Sequence, residues 1–233
     1  MELLEKESLI LTRIDIQGQL IDVKTEPATL LKHGLWVEYA SLAWMAVEGI
    51  VAIYSGIAAW SLALLAFGGD SVVELLSSVA VVGHLRHMSN GPGSDLHVDS
   101  ERTEWVTALL LVSLIPVIGL GAVYSIVSGV RPESSPLGII VAFTAVLIMP
   151  MLWYQKRRIG KASSCLPLII DATESATCFL MSIALLLGLV INYFLKLFWA
   201  DYVASLIILI FVAREAMESI REVKAKRGQT LEA

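Results

Sequence analysis

LWVEYASLAWMAVEGIVAIYSGIAAWSLALLAFGGDSVVELLSSVAVVG, residues 35–83, runs for 49 residues with almost no interruption of its apolar character. As one helix it would be about 74 Å long, against a bilayer hydrocarbon thickness of about 30 Å, so it must fold back on itself. The reading puts the break at Ser55-Gly56-Ile57-Ala58-Ala59. Helix one then covers Leu35 to Ser55 and helix two Trp60 to Gly83, with Trp60 at a membrane interface.

Outward from this pair the same pattern repeats. Residues 86–104 are polar and carry Asn90-Gly91-Pro92-Gly93, which reads as a loop. Helix three is expected over Trp105 to Val127, helix four over Leu137 to Trp153, helix five over Ser164 to Tyr193 and helix six over Trp199 to Met217. The basic cluster Lys156-Arg157-Arg158 with Lys161 is read as lying outside the membrane, just past helix four. The chain is 56% hydrophobic and 17% charged with a mean hydropathy of +0.73, too apolar for a soluble domain of 233 residues. The expected fold is an all-α integral membrane protein, a six-transmembrane-helix bundle. Residues 1–33 form a cytoplasmic arm with no signal-peptide pattern, 34–221 the membrane domain and 222–233 a short cytoplasmic tail. With both termini cytoplasmic, only Arg131 and Lys196 of the 17 basic residues lie outside, as the positive-inside rule favours. Two cysteines, Cys165 and Cys178, are too few for a disulfide framework.

Five carboxylates fall within the expected spans away from their ends: Glu48, Asp70, Glu74, Asp171 and Glu174. Inserting all five into lipid would cost on the order of 12 to 17 kcal/mol, so they must face the bundle interior. Apart from Arg214, near the end of helix six, no basic residue lies inside a span on this reading. Asp70 and Glu74 are four apart and share a helical face with Ser77 and Ser78. On helix five, Asp171, Glu174, Ser175, Cys178 and Ser182 recur at three- and four-residue intervals as a second polar stripe. Carboxylates converging from two helices are how a bundle builds a cation site.

In this setting, Phe67-Gly68-Gly69-Asp70-Ser71-Val72-Val73-Glu74, Ile170-Asp171-Ala172-Thr173-Glu174-Ser175 and Trp199-Ala200-Asp201 resemble the transmembrane part of the cation diffusion facilitator family. The resemblance covers roughly Trp36 to Arg221. It implies a divalent-metal/proton antiporter with six spans and cytoplasmic ends. Carried over by position, Asp70, Glu74 and Asp171 are metal ligands. The fourth position falls on Ser175, where the family usually has aspartate, and leaves Glu174, Ser175, Cys178 and water as alternatives. The reading expects a shortened branch, without the family's common cytoplasmic carboxyl-terminal domain. Glu48, seven residues from both Ser41 and Ser55, is an accessory proton relay or a structural residue. Cys178 is a small filler or a soft ligand. Asp95-Leu96-His97-Val98-Asp99 is a weak peripheral metal site or simply a solvated loop, with Asp95, His97 and Asp99 as its ligands.

The function expected is export of a divalent cation, Zn²⁺ or Mn²⁺, from the cytoplasm in exchange for protons, with the metal as transported substrate and no cofactor. An all-oxygen ligand set leans toward Mn²⁺, whereas the resemblance leans toward Zn²⁺, ranked slightly ahead. The expected setting is the plasma membrane, with multiple passes, a homodimer formed through the transmembrane helices and no nucleic-acid partner. The chain is not expected to be an enzyme. An intramembrane aspartyl protease would use Asp70 and Asp171, but Phe67 stands where its Gly-x-Gly-Asp signature needs glycine. A non-transporting scaffold or metal sensor is the other alternative.

Overall fold

The computed structural model describes residues 27–90 and 100–232, which form six helices: α1 (Pro27–Ala59), α2 (Leu62–Asn90), α3 (Ser100–Ser128), α4 (Pro136–Ser163), α5 (Leu166–Leu195) and α6 (Trp199–Glu232). Five of them contain stretches long and apolar enough to cross a bilayer. The exception, α6, has its apolar run bracketed by Asp201 on one side and Arg214 and Glu215 on the other. Burial is inverted relative to a soluble protein. Ile50, Val117, Leu120, Ile140, Leu147 and Phe194 are exposed, while Glu38, Glu48, Asp70, Glu74, Asp171 and Ser175 are buried. Such an apolar surface suits lipid, and the chain is an integral, multi-pass membrane protein.

Five of the six helices run longer than their sequence-expected spans, α5 is shifted by two residues at equal length, and the α1–α2, α4–α5 and α5–α6 links are short. Trp60, Ser164 and Lys196 each take a left-handed conformation, with φ of 53°, 52° and 54°, and close the α1–α2, α4–α5 and α5–α6 links. The first break therefore falls at Trp60-Ser61 and not within Ser55–Ala59. Gly56, which reads as a helix breaker, instead lets two helices approach: a Cβ there would stand 2.9 Å from the backbone nitrogen of Leu65. The expected arm also overlaps α1, which starts at Pro27, and the expected tail overlaps α6. The first 26 residues, and Asp95, His97 and Asp99, lie outside the described residues.

Helix α2 is central and packs on α1, α3, α5 and α6. Its amino end is held by α6. The Asp201 carboxylate accepts from Leu62 N (3.1 Å), Ala63 N (3.4 Å) and the Ser61 hydroxyl, while Ser61 Oγ accepts from Leu64 N (3.2 Å). These contacts satisfy the orphan amide donors of a helix start and place negative charge at its positive end. The Trp199-Ala200-Asp201 signature thus has a structural task. At the same end of the bundle, Glu133 N donates to Ala59 O (2.8 Å), Asn192 Nδ2 donates to Pro132 O (3.1 Å), and the Tyr202 hydroxyl meets Val130 O.

Helix α4 corrects the sequence reading most. It continues ten residues past Trp153 to Ser163 and takes the basic cluster with it. Lys156 falls on the buried stripe Met149, Leu152, Lys156, Ile159 and is 0% exposed. Its ammonium pairs with Asp171 of α5 and lies 3.6 Å from Glu38 of α1. The membrane domain therefore does contain an internal cation, and Asp171 is its partner.

Two stability effects follow. Gly68→Val should cost about 1 to 3 kcal/mol, because its Cβ would meet the Ile53 backbone nitrogen at 2.9 Å across the α1–α2 contact. Thermal melting of the purified protein measures the loss. Lys156→Met should cost about 3 to 5 kcal/mol by leaving Glu38 and Asp171 without a counter-charge. The triple change Lys156→Met, Glu38→Gln, Asp171→Asn should recover much of this in the same melting assay.

Candidate metal centre

The two acidic stripes do converge, though not with every residue the sequence nominated. Asp70 and Glu74 are 3% and 6% exposed on the face of α2 that meets α5 and α6. From α5, Cys178 comes between them. Asp70, Glu74 and Cys178 each present a ligand atom within 4.8 Å of the others. Glu74 Oε1 accepts from Ser175 Oγ (3.2 Å), and its second oxygen is buried with no hydrogen-bond partner. Glu174, one turn before Cys178, accepts from Ser77 Oγ (3.3 Å) through Oε1, and its Oε2 is likewise buried and unpartnered. Carboxylate oxygens left in this condition are suited to a cation, because their lone pairs meet no hydrogen-bond donor among the described residues.

Asp171 and Ser175 have other tasks in this geometry. Asp171 Oδ1 accepts from Ser78 Oγ (2.7 Å), and Oδ2 faces Lys156. Ser175 Oγ lies 3.2 Å from both Glu74 Oε1 and the Asp171 carbonyl oxygen of its own helix, so its one proton is divided between orienting Glu74 and bonding back to α5. Because α2 and α5 run antiparallel, the two contacts are reciprocal: Ser78 serves a carboxylate of α5, and Ser175 serves one of α2. Glu48 of α1 is fully buried, with neither carboxylate oxygen hydrogen-bonded, and its charge acts on Glu74 and Asp70. It stands outside the converging trio.

A cavity of about 150 Å³ reaches these groups, lined by Asp70 and Glu74 of α2, Thr107 of α3, Glu174 of α5, and Glu215 and Glu218 of α6. Thr107 and Glu174 lie early in their helices and Glu215 and Glu218 late in theirs, so the cavity belongs to the end of the bundle where α1 begins. The opposite end is the one closed by Asp201 and its neighbours. Arg214 is a solvent-facing neighbour that bonds Glu218 (3.3 Å). Three charged residues here escaped the sequence reading. Glu38 sat too near the expected start of helix one, Lys156 was taken for a loop residue, and Glu215 looked like the charged exit of helix six. Spacing could have found two of them: Lys156 is four residues from Leu152 and three from Ile159, and Glu215 three from Val212.

Comparison with known proteins identifies the family. The pattern that defines the cation efflux transmembrane domain matches residues 39–225. The manganese efflux system protein MneS of Bacillus subtilis (strain 168) is 25% identical over 197 residues, which cover 82% of this chain and 67% of that protein. The family match at residues 39–225 reaches all six helices and includes both acidic stripes. The chain belongs to the family of cation efflux transmembrane domains.

Proposed function

We propose that this chain exports a divalent metal cation, Mn²⁺ or Zn²⁺, holding it between α2 and α5 and exchanging it for protons. The observation that carries this reading is the convergence of Asp70, Glu74 and Cys178 within 4.8 Å, with Asp70 and Glu74 lining a cavity that Glu174 of α5 also lines. Those residues are the proposed ligands. Asp171 supports them from the ion pair with Lys156, and Ser175 orients Glu74. The similarity to a protein named for manganese efflux favours Mn²⁺, as does the excess of carboxylate oxygen, whereas a cysteine thiolate suits Zn²⁺. Membership of a cation efflux family also favours transport over the intramembrane protease or a scaffold.

The chemistry follows from the charge balance. Clustered carboxylates in a poorly solvated cavity do not all stay ionised without a cation. Metal arriving from the cytoplasm displaces protons, the bundle reorients, and protons returning from the far side release the metal. Glu48, buried beside Asp70 and Glu74 on a third helix, is the proposed proton relay. Acidification should weaken metal binding, since protons compete for the same oxygens.

Asp70→Asn and Glu74→Gln should each abolish metal flux into or out of proteoliposomes under an imposed pH gradient. Ser175→Ala should cost about tenfold in metal affinity by removing the donor that fixes a ligand. Normal flux in both carboxylate variants, or metal flux with no opposing proton movement, refutes antiport. For sidedness, the proposal places the termini and the Arg157-Arg158 end in the cytoplasm, with Arg131 and Lys196 outside. An impermeant thiol reagent should label Lys196→Cys from outside and Arg158→Cys only after permeabilisation; the reverse pattern would invert the topology.

A further inference from the structure

Glu215 is the acid that the two-helix site leaves unexplained. On α6 the buried positions Ala204, Ile208, Val212 and Ala216 make the face packed toward the bundle, and Glu215 borders that face, three residues after Val212. It lines the same cavity as Asp70, Glu74 and Glu174. Its Oε2 is buried and has no hydrogen-bond partner. The adjacent base does not serve it, because Arg214 is exposed and bonds Glu218. The charges that act on Glu215 are all negative, Asp70 first, then Glu174, Glu74 and Glu218. An acid in such surroundings has no structural partner among the described residues. What it faces is the space a cation would fill.

Building on the transporter reading, we infer that Glu215 is a ligand of the transported cation, supplied by α6, so that the site draws on three helices rather than two. Asp70, Glu74, Cys178 and Glu174 already provide the four donors that tetrahedral Zn²⁺ takes. A further carboxylate adds oxygen to a site that then suits a larger coordination number, which Mn²⁺ uses and Zn²⁺ seldom does. Glu215 would thereby bias the site toward Mn²⁺. It would also tie α6 to α2 and α5 whenever the ion is bound.

The experiment is metal binding by the full purified chain and by Glu215→Gln, Glu215→Asp and Met217→Leu. Met217 is an exposed neighbour on the same turn. Mn²⁺ binding is read from the paramagnetic resonance signal of the free ion, Zn²⁺ from competition with it, and coordination number from the visible absorption of bound Co²⁺. The expectation is that Glu215→Gln weakens Mn²⁺ by about tenfold or more and Zn²⁺ by less than about threefold, with Co²⁺ absorption rising toward the intense four-coordinate form. Glu215→Asp, which keeps the charge but shortens the reach, should fall between, and Met217→Leu should match the parent. Unchanged Mn²⁺ affinity in Glu215→Gln overturns the assignment. So does equal weakening of both metals with an unchanged Co²⁺ spectrum, which would mark Glu215 as a distant charge only. If the unsubstituted chain binds no metal, the transporter reading fails and the ligand with it; if it binds and only the variants fail to differ, Glu215 alone is removed.

Discussion

Carboxylates inside a bilayer must be balanced by something, and in this bundle the balance is deliberately incomplete. Each buried acid would cost several kcal/mol if it were ionised and alone. Among the described residues a single internal ammonium, Lys156, pairs with Asp171 and approaches Glu38. Its charge also acts on Glu74 and Glu174, but among the described residues no ion pair forms with Asp70, Glu74, Glu174 or Glu215. The acids of the bundle thereby separate into a set whose cation belongs to the protein and a set without an ion-pair partner among the described residues, the set proposed to take the transported cation. Helix placement serves that separation: α1, α4 and α5 gather round the lysine, and α2, α5 and α6 round the cavity.

The two sets touch through α5 and the serines beside it. Asp171 lies one turn before Ser175, which holds Glu74, and Asp171 is itself held by Ser78, one turn beyond Glu74. A change in charge at the cavity is therefore transmitted to the lysine pair through hydroxyls, without a long chain of intermediates. The far end of the bundle is closed by a different device, the grip of Asp201 on the start of α2. A fixed end and an acidic cavity at the other end leave the site approachable from one side, which on the proposed topology is the cytoplasm.

Most of the architecture was legible because the apolar runs are long and the polar breaks between them are real. Six helices in order, and the facing stripes Asp70/Glu74 and Asp171/Glu174/Cys178, follow from hydropathy and three- to four-residue spacing. The failures have specific physical origins. Gly56 signals a helix end by propensity, yet here the missing side chain serves close packing against Leu65. Lys156-Arg157-Arg158 looks like a membrane edge because three charges in a row seldom sit in a span, but on a helix they point to different faces, and only the first turns inward. Asp171 appeared free because its partner had been assigned to a loop. Glu215 was hidden for a related reason: a charged residue near the end of a span reads as an exit from the membrane unless its face is traced back to Val212 and Ile208.

The reciprocal serine contacts restrict how this protein can move. Sliding α2 along α5 by one turn in one direction would bring Glu74 against Asp171, setting two acids face to face. Sliding it the other way would set Ser78 against Ser175 and strip both acids of their donors. Either displacement, about 5.4 Å of travel, is opposed by the loss of both contacts at once. Shear between these helices is thus disfavoured, and the pair is built to tilt as one body. In the proposed transport cycle, movement between the two membrane faces then falls to the contacts of that pair with α1, α3 and α6.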